Sequence, residues 1–230
     1  MNMKKTMLSL SLVLGLSITA FAQNVKYGVK AGLTFPKIAA SGNQVDELPD
    51  NAKANPSFFF GGYADIAVSS QFSVQPGISL IGKGSKFEET ESGVEEGIAY
   101  SGTAKFTLST MYVEIPVNLV GKVPAGPGDL FFGAGPYLGY AVSGKSKTKV
   151  SLNIGGNQMS ESEEEDVEFG SNEDQMKRIE YGVNFLGGYQ LKNGLNFNVG
   201  YGLGLSNLAN NSGDGKISNR LFCVGVGFSY

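Results

Sequence analysis

The chain has 230 residues, a formal net charge of −3 and a mean hydropathy of −0.05. It contains 33 glycines, one cysteine, no histidine and no tryptophan. An intramolecular disulfide is therefore excluded, and so is chemistry that depends on histidine as a general base or a metal ligand. The length suits one domain. Neither a nucleic-acid partner nor a cofactor is predicted.

The N-terminal segment has the features of an export signal. Lys4 and Lys5 precede an apolar run, and a small-x-small tripeptide ends at Ala22. The run is shorter than the roughly 20 apolar residues that a spanning helix needs, so a retained helical anchor is the weaker alternative. We therefore predict a signal peptide over 1–22, cleaved after Ala22, and a mature domain over 23–230.

Eight segments of the mature chain alternate large apolar residues with small or polar ones. This period of two is typical of a strand with two different faces. In the last but one segment, one face holds Leu, Phe, Val and Tyr, and the other holds only Asn, Gly and Ser. The predicted strands run over about 25–34, 57–69, 72–80, 106–120, 130–143, 177–190, 195–206 and 221–230.

The connections between these strands alternate in length. Short turns follow the second, fourth and sixth strands, and the sixth is followed by the Asn193-Gly194 pair that favours a hairpin. Acidic residues cluster in two of the long connections, at 88–96 and 161–174, and part of the longest connection, 147–154, could extend a strand. The long polar loops are predicted over 34–56, 86–105, 144–176 and 207–219.

This pattern predicts an all-β fold, an eight-stranded antiparallel up-and-down transmembrane β-barrel. The last strand ends its apolar alternation on Tyr230. Such an edge invites aggregation in a soluble protein, whereas a barrel in a membrane must pair its last strand with its first. Long external loops and short periplasmic turns are typical of the bacterial outer membrane. We therefore expect an outer-membrane location, with both termini on the periplasmic side.

Several stretches resemble the PorT-like outer-membrane β-barrel domain of small bacterial envelope proteins. They are YGVKAGL at 27–33, FSVQPG at 72–77, GKG at 82–84, YVEIPV at 112–117, GAGPYLG at 133–139 and GVGFSY at 225–230. The resemblance implies an eight-stranded outer-membrane barrel with no catalytic residue to transfer, in a family whose founding members are linked to protein secretion and gliding. It also implies that Phe228 and Tyr230 belong to an assembly signal that the barrel-assembly machinery reads.

Charged residues also fall on the face that the alternation places inside the barrel. Such charges must pair or meet water, and eight strands enclose an interior just wide enough for side chains. A salt-bridged plug is therefore predicted; the alternatives are a conducting path and a catalytic pair such as Glu114 with Glu180. The predicted polar network of the lumen consists of Lys26, Lys30, Asp65, Lys83, Glu114, Arg178 and Glu180.

The predicted function is that of a non-enzymatic outer-membrane protein with an envelope-structural or loop-mediated interaction role. The alternatives are a lipid-acting outer-membrane enzyme, a narrow transport- or secretion-associated barrel, and a soluble lipocalin-like barrel with its large apolar residues inside. No catalytic, cofactor-binding or metal-binding residue is predicted, although the acidic loops could bind a divalent cation. The expected partners are outer-membrane lipid, the barrel-assembly machinery during biogenesis, and an envelope protein bound through the acidic loops.

Overall fold

The computed structural model describes residues 25–41, 52–95, 97–210 and 215–230, and the predicted signal peptide over 1–22 lies outside these ranges. No helix long and apolar enough to cross a bilayer occurs among the described residues. The described residues form nine strands: β1 (Val25–Ser41), β2 (Ser57–Ala67), β3 (Phe72–Glu95), β4 (Ile98–Ala125), β5 (Gly128–Ile154), β6 (Asn157–Asp166), β7 (Ile179–Leu191), β8 (Leu195–Gly204) and β9 (Lys216–Ser229).

Eight of these strands form a closed ring. The order around the ring is β4-β3-β2-β1-β9-β8-β7-β5, and β5 pairs back to β4. The first and last strands pair antiparallel from Gly28 with Ser229 to Ser41 with Lys216. The predicted eight-stranded antiparallel barrel is thus confirmed. The ninth strand, β6, lies outside the ring and pairs only with β5 among the named strands.

The bulky apolar face of each strand points away from the barrel. Adjacent residues on β2 make the contrast plain, since Phe59 is 4% exposed and Phe60 is 60% exposed. Exposed tyrosines stand at both ends of this apolar belt, Tyr27 at one end and Tyr140 and Tyr181 at the other, as in the aromatic girdles of membrane barrels. A lipocalin-like barrel would need the opposite facing.

Short turns and both ends of the described chain lie at one end of the barrel, here termed the short-turn end. In the β7–β8 turn, Gly194 has a φ of 93°, and its amide donates to the carbonyl of Leu191 at 3.0 Å. The hairpin predicted from Asn193-Gly194 is confirmed. At the same end, Tyr27 and Tyr230 exchange two backbone hydrogen bonds, of 3.1 and 2.9 Å.

At the opposite end, two of the predicted loops are extended hairpins. Segment 98–107 pairs with 86–95 on one side and with 145–154 on the other. Segment 145–154 pairs in turn with 157–166. The loop prediction for 86–105 is therefore wrong, and so is that for the first two thirds of 144–176, whereas the expected strand extension over 147–154 is confirmed. Backbone groups pair whatever the polarity of the side chains they carry. These four segments are termed the projecting sheet.

Glycines with positive φ reverse the chain at the tips of the projecting sheet. Gly155 and Gly156 have φ values of 57° and 90°, the combination that a two-residue hairpin turn requires, and Gly97 has a φ of 82°. Two further predicted loops are also shorter than expected, because β1 continues to Ser41 and β9 begins at Lys216, and these extensions pair with each other.

A bulge separates the barrel wall from the projecting sheet in β5. Tyr112 on β4 pairs with Ala141, but the preceding Met111 pairs with Ser143, which leaves Val142 as an extra residue. One extra residue moves all later side chains to the other face of the sheet. Odd-numbered residues of β5 such as Tyr137 therefore point into the barrel, whereas Lys145 and the alternate residues after it point outwards.

The outward facing of the apolar belt can be tested by comparing Val199→Arg with Ser160→Arg. Val199 lies in the middle of β8 and is 49% exposed, and an arginine at the bilayer midplane costs about 2–4 kcal/mol. Ser160 lies on the water-exposed β6. We expect Val199→Arg to fold poorly into lipid vesicles and Ser160→Arg to fold like the parent chain, as measured by heat-modifiable gel mobility. Equal yields would contradict this facing.

Candidate functional site

A buried ion cluster joins three strands across the barrel interior. The Nζ atom of Lys83 on β3 lies 2.9 Å from Oε2 of Glu114 on β4 and 3.2 Å from Oε2 of Glu180 on β7. The three side chains are 1%, 5% and 0% exposed. These residues are inward-facing because each occupies the small or polar phase of its strand's alternation. The structure thus brings three of the seven predicted lumen residues into one cluster.

Neutral donors complete the coordination of both carboxylates. The hydroxyl of Tyr137 donates to Oε1 of Glu180 at 2.7 Å, and Nδ2 of Asn219 donates to Oε2 of Glu180 at 2.9 Å. On the other carboxylate, Nδ2 of Asn184 donates to Oε1 of Glu114 at 3.0 Å. Every carboxylate oxygen therefore has a fixed donor, which favours a structural role over use as a catalytic pair.

Aromatic rings enclose the lysine of the cluster. Its Nζ atom lies 4.5 Å from the ring centroid of Tyr137 and 5.1 Å from that of Tyr112, within the range of cation–π attraction. Both tyrosines are almost fully buried. The rings and the carboxylates are thus buried together inside the barrel.

A second ion pair lies nearer the short-turn end. Asp65 on β2 pairs with Lys122 on β4. Lys122 was not predicted as a lumen residue, because it falls beyond the predicted end of its strand. Between this pair and the central cluster, Lys30 lines a cavity of about 50 Å³. At the short-turn end, the barrel opens into a vestibule of about 1160 Å³ that is lined in part by Lys26.

Two further predicted lumen residues lie at the two ends of the barrel. Lys26 is exposed at the short-turn mouth. Arg178 precedes β7 at the opposite rim, where its two terminal nitrogens donate to the carbonyls of Ala141 and Phe169 at 3.3 Å each. Its guanidinium therefore ties the rim of the barrel to the connection that follows β6.

Two asparagines of the cluster were also missed, for different reasons. Asn184 lies four residues after Glu180 on β7, so extending the period of two along the strand would have found it. Asn219 could not be found in this way, because it falls in a predicted loop and lies inside the barrel only through the longer β9.

The outer face of the projecting sheet, which continues the lipid-facing side of the strands, carries ion pairs. Lys145 lies 2.6 Å from Glu164 across the β5–β6 hairpin, and Lys53 lies 3.0 Å from Glu88. The hydrogen bond and positive charge of Lys145 lower the pKa of Glu164 below its ordinary value, and Glu164 in turn raises the pKa of Lys145. Exposed pairs of this kind contribute little to stability.

The acidic stretches are thus ordered on strands or packed at the rim. Glu161 to Asp166 belong to β6, and Glu168 accepts a hydrogen bond from the side chain of Gln175 at 3.1 Å. Within the described ranges, no group of three or more cysteine, histidine or carboxylate side chains is placed to hold a metal ion.

A closed eight-stranded ring with an apolar outer belt, tyrosines at both ends and an ionic interior defines the class of transmembrane β-barrels. The profile of the family described as "Outer membrane protein beta-barrel domain" matches residues 21–210. The chain belongs to this family, whose members reside in the outer membrane of Gram-negative bacteria.

Two similar solved structures are outer-membrane barrels. Ail, the attachment invasion locus protein of Yersinia pestis, has 14% sequence identity and a TM-score of 0.38, with 90% of this chain and 100% of that chain covered. Neisserial surface protein A has 13% identity and a TM-score of 0.39, with 90% and 99% covered. A comparison with curated proteins gave no match.

The central cluster can be tested with Lys83→Met. The substitution keeps most of the length of the side chain but leaves two buried carboxylates without their cation, which typically costs about 3–5 kcal/mol. We expect a loss of that size in the free energy of unfolding, measured by urea titration in lipid vesicles.

The matched control is the triple variant Lys83→Met, Glu114→Gln, Glu180→Gln. It removes the charges together, and a buried ion cluster replaced as a whole often costs little. We expect it to recover most of the lost stability. A triple variant no more stable than Lys83→Met would mean that packing, and not the charges, sets the cost.

Proposed function

We propose that this chain is a non-enzymatic outer-membrane protein that holds the projecting sheet outside the membrane for interaction with a protein partner of the cell envelope. The observation that carries the proposal is the length of the strands. β4 and β5 have 28 and 27 residues, whereas about ten residues suffice to cross the apolar band. More than half of each strand therefore serves no spanning purpose.

The regular strand pairing of the projecting sheet favours a role in binding over a role as a simple connection between barrel strands. A short loop would join two neighbouring strands with fewer residues and less loss of conformational entropy. Here the connections form a continuous four-stranded surface with cross-strand ion pairs. A rigid surface lowers the entropic cost of binding a partner.

The lipid-acting enzyme is less well supported. The chain has no histidine, and the two carboxylates considered as a catalytic pair, Glu114 and Glu180, are both bonded to Lys83 and to neutral donors. A transport role is disfavoured by the same cluster, because its buried rings and ion pairs lie in the path that a solute would take through the narrow interior.

Within the outer-membrane barrel family, we assign the chain to the PorT-like group. The support is the resemblance of six stretches, which fall mainly on the barrel strands β1, β3, β4, β5 and β9. Association with a secretion or surface machinery through the projecting sheet would agree with that assignment.

The proposal is tested by photo-crosslinking in intact cells. A crosslinking residue at Ala104 or Thr148, both on the projecting sheet, should capture the same partner. A crosslinking residue at Ser70 in the short-turn mouth serves as the control. A variant in which each hairpin of the projecting sheet is replaced by a short turn should still insert and should lose that partner.

Two results would overturn this function. One is the absence of any shared partner from both sheet positions. The other is turnover of labelled lipid A or phospholipid by the purified barrel, which would favour the enzyme.

We also propose that Phe228 and Tyr230 belong to the signal by which the assembly machinery recognises the unfolded chain. Tyr230 is 74% exposed beside Tyr27, so the loss of one ring should cost the folded barrel little. Deletion of Tyr230 should therefore lower the amount of folded protein in cells and leave folding into synthetic vesicles nearly normal. If the amount of folded protein in cells does not change, Tyr230 serves only as an aromatic anchor at the membrane interface.

A further inference from the structure

The two faces of the projecting sheet differ sharply in chemistry. Directly opposed residues of antiparallel strands share a face, so the strand registers assign each side chain. On the described part of this sheet, all the lysines fall on the outer face. They are Lys86, Lys105, Lys145, Lys147 and Lys149.

The inner face, which continues the lumen side of the strands, has an apolar centre. Its side chains stand in cross-strand pairs, such as Tyr100 with Ile154 and Leu152 with Met159. All are substantially exposed, and Met159 reaches 70%. The apolar centre consists of Tyr100, Phe106, Val150, Leu152, Ile154 and Met159.

Glycines let these side chains lie flat against the sheet. A Cβ atom at Gly93 would stand 2.7 Å from the hydroxyl of Tyr100, and one at Gly102 would stand 3.2 Å from a methyl group of Leu152. Tyr100 and Leu152 therefore cover neighbouring backbone, and the apolar centre is a continuous surface instead of a set of isolated side chains.

The apolar centre leads into a pocket at the barrel rim. The pocket has a volume of about 280 Å³ and shares Phe106 with the sheet. Its walls include the buried Phe87 and Leu208, and Glu173 and Asp174 stand among its lining residues. It can accept one large apolar side chain.

Carboxylates border the apolar centre on two sides. Glu89 and Glu91 follow one edge on β3, and Glu161, Glu163 and Glu165 follow the other on β6. Because the lysines of the sheet point the other way, these five carboxylates face solvent on the inner side without a lysine of the sheet beside them. Large exposed apolar patches mark binding surfaces, and this one is strongly acidic.

We propose that the inner face binds a cationic amphipathic segment of a polypeptide, one that combines large apolar residues with lysines or arginines. The inference rests on the proposed function and names the chemistry of its partner. Apolar side chains of the segment would cover the centre, one of them would enter the rim pocket, and its cations would meet the two carboxylate rows.

Charge argues against the other occupants. Outer-leaflet lipids carry phosphates, which the carboxylate rows repel. A second copy would bring the same acidic rows against each other. Segment 42–51 of this chain carries Asp46, Glu47 and Asp50, so its charge does not complement the face.

The test measures binding of a short synthetic peptide of alternating lysine and leucine to the full-length barrel in nanodiscs. Two control peptides replace either leucine by serine or lysine by glutamate, and neither should bind measurably. Leu152→Asp on the inner face should weaken binding about tenfold or more, since tenfold corresponds to about 1.4 kcal/mol. Its neighbour Ser151→Asp lies on the outer face and should leave binding unchanged or slightly stronger.

A second matched pair tests the charges. Glu163→Gln on the inner face should weaken binding about threefold and reduce its salt dependence, whereas Glu164→Gln on the outer face should not. Equal effects of the inner and outer variants would overturn the inference, as would capture of a fluorescent phospholipid in place of the peptide or dimerisation through Leu152.

The failures of the two proposals are separable. If the crosslinked partner of the projecting sheet is retained in Leu152→Asp and Glu163→Gln, the inner face is not its binding site, while the proposed function stands. If no partner is crosslinked to the sheet, the proposed function itself fails.

Discussion

The structure depends on one constraint, the pairing of every backbone amide and carbonyl inside a medium that offers no hydrogen bonds. The pairing of β1 with β9 meets this constraint by closing the sheet. Once the ring is closed with eight strands, its interior is just wide enough for side chains. The alternation of bulky and small residues follows, because only small or specifically paired groups fit inside.

The interior is filled by aromatic rings laid against glycines and by charges bonded to one another. A Cβ atom at Gly182 would lie 2.6 Å from the ring of Tyr137, so the glycine makes room for the ring that hydrogen-bonds Glu180. The same crowding explains why the central lysine has two carboxylates and two rings around it. Buried charges are costly unless they are paired, and the charged side chains of the cluster and of the Asp65–Lys122 pair are arranged accordingly.

Alternation within each strand made the barrel, its strand number and its lipid-facing side predictable from the sequence, as Phe59 and Phe60 illustrate. The pairing of charges was not predictable in the same way. Which residues face each other across the lumen depends on the stagger around the whole ring, so alternation could place Lys83 inside without naming Glu114 and Glu180 as its partners. The hairpins were not predictable from alternation, because polar strands carry the same residue types as loops; the one local signal was Gly155-Gly156, which forms the turn between β5 and β6.

The bulge at Val142 makes the chemistry of the projecting sheet independent of that of the barrel wall. Because of the bulge, the side chains that follow it in β5 point to the opposite face of the sheet. Through strand pairing, the same holds for the side chains of β6. Loss of that single residue would exchange the two faces of these strands, so that Lys147 would turn toward the barrel mouth while β3 and β4 kept their orientation. Deletion of one codon would therefore place Lys145, Lys147 and Lys149 among the carboxylates of the inner face without altering the membrane-spanning ring. The charge pattern of this surface thus depends on a single inserted residue.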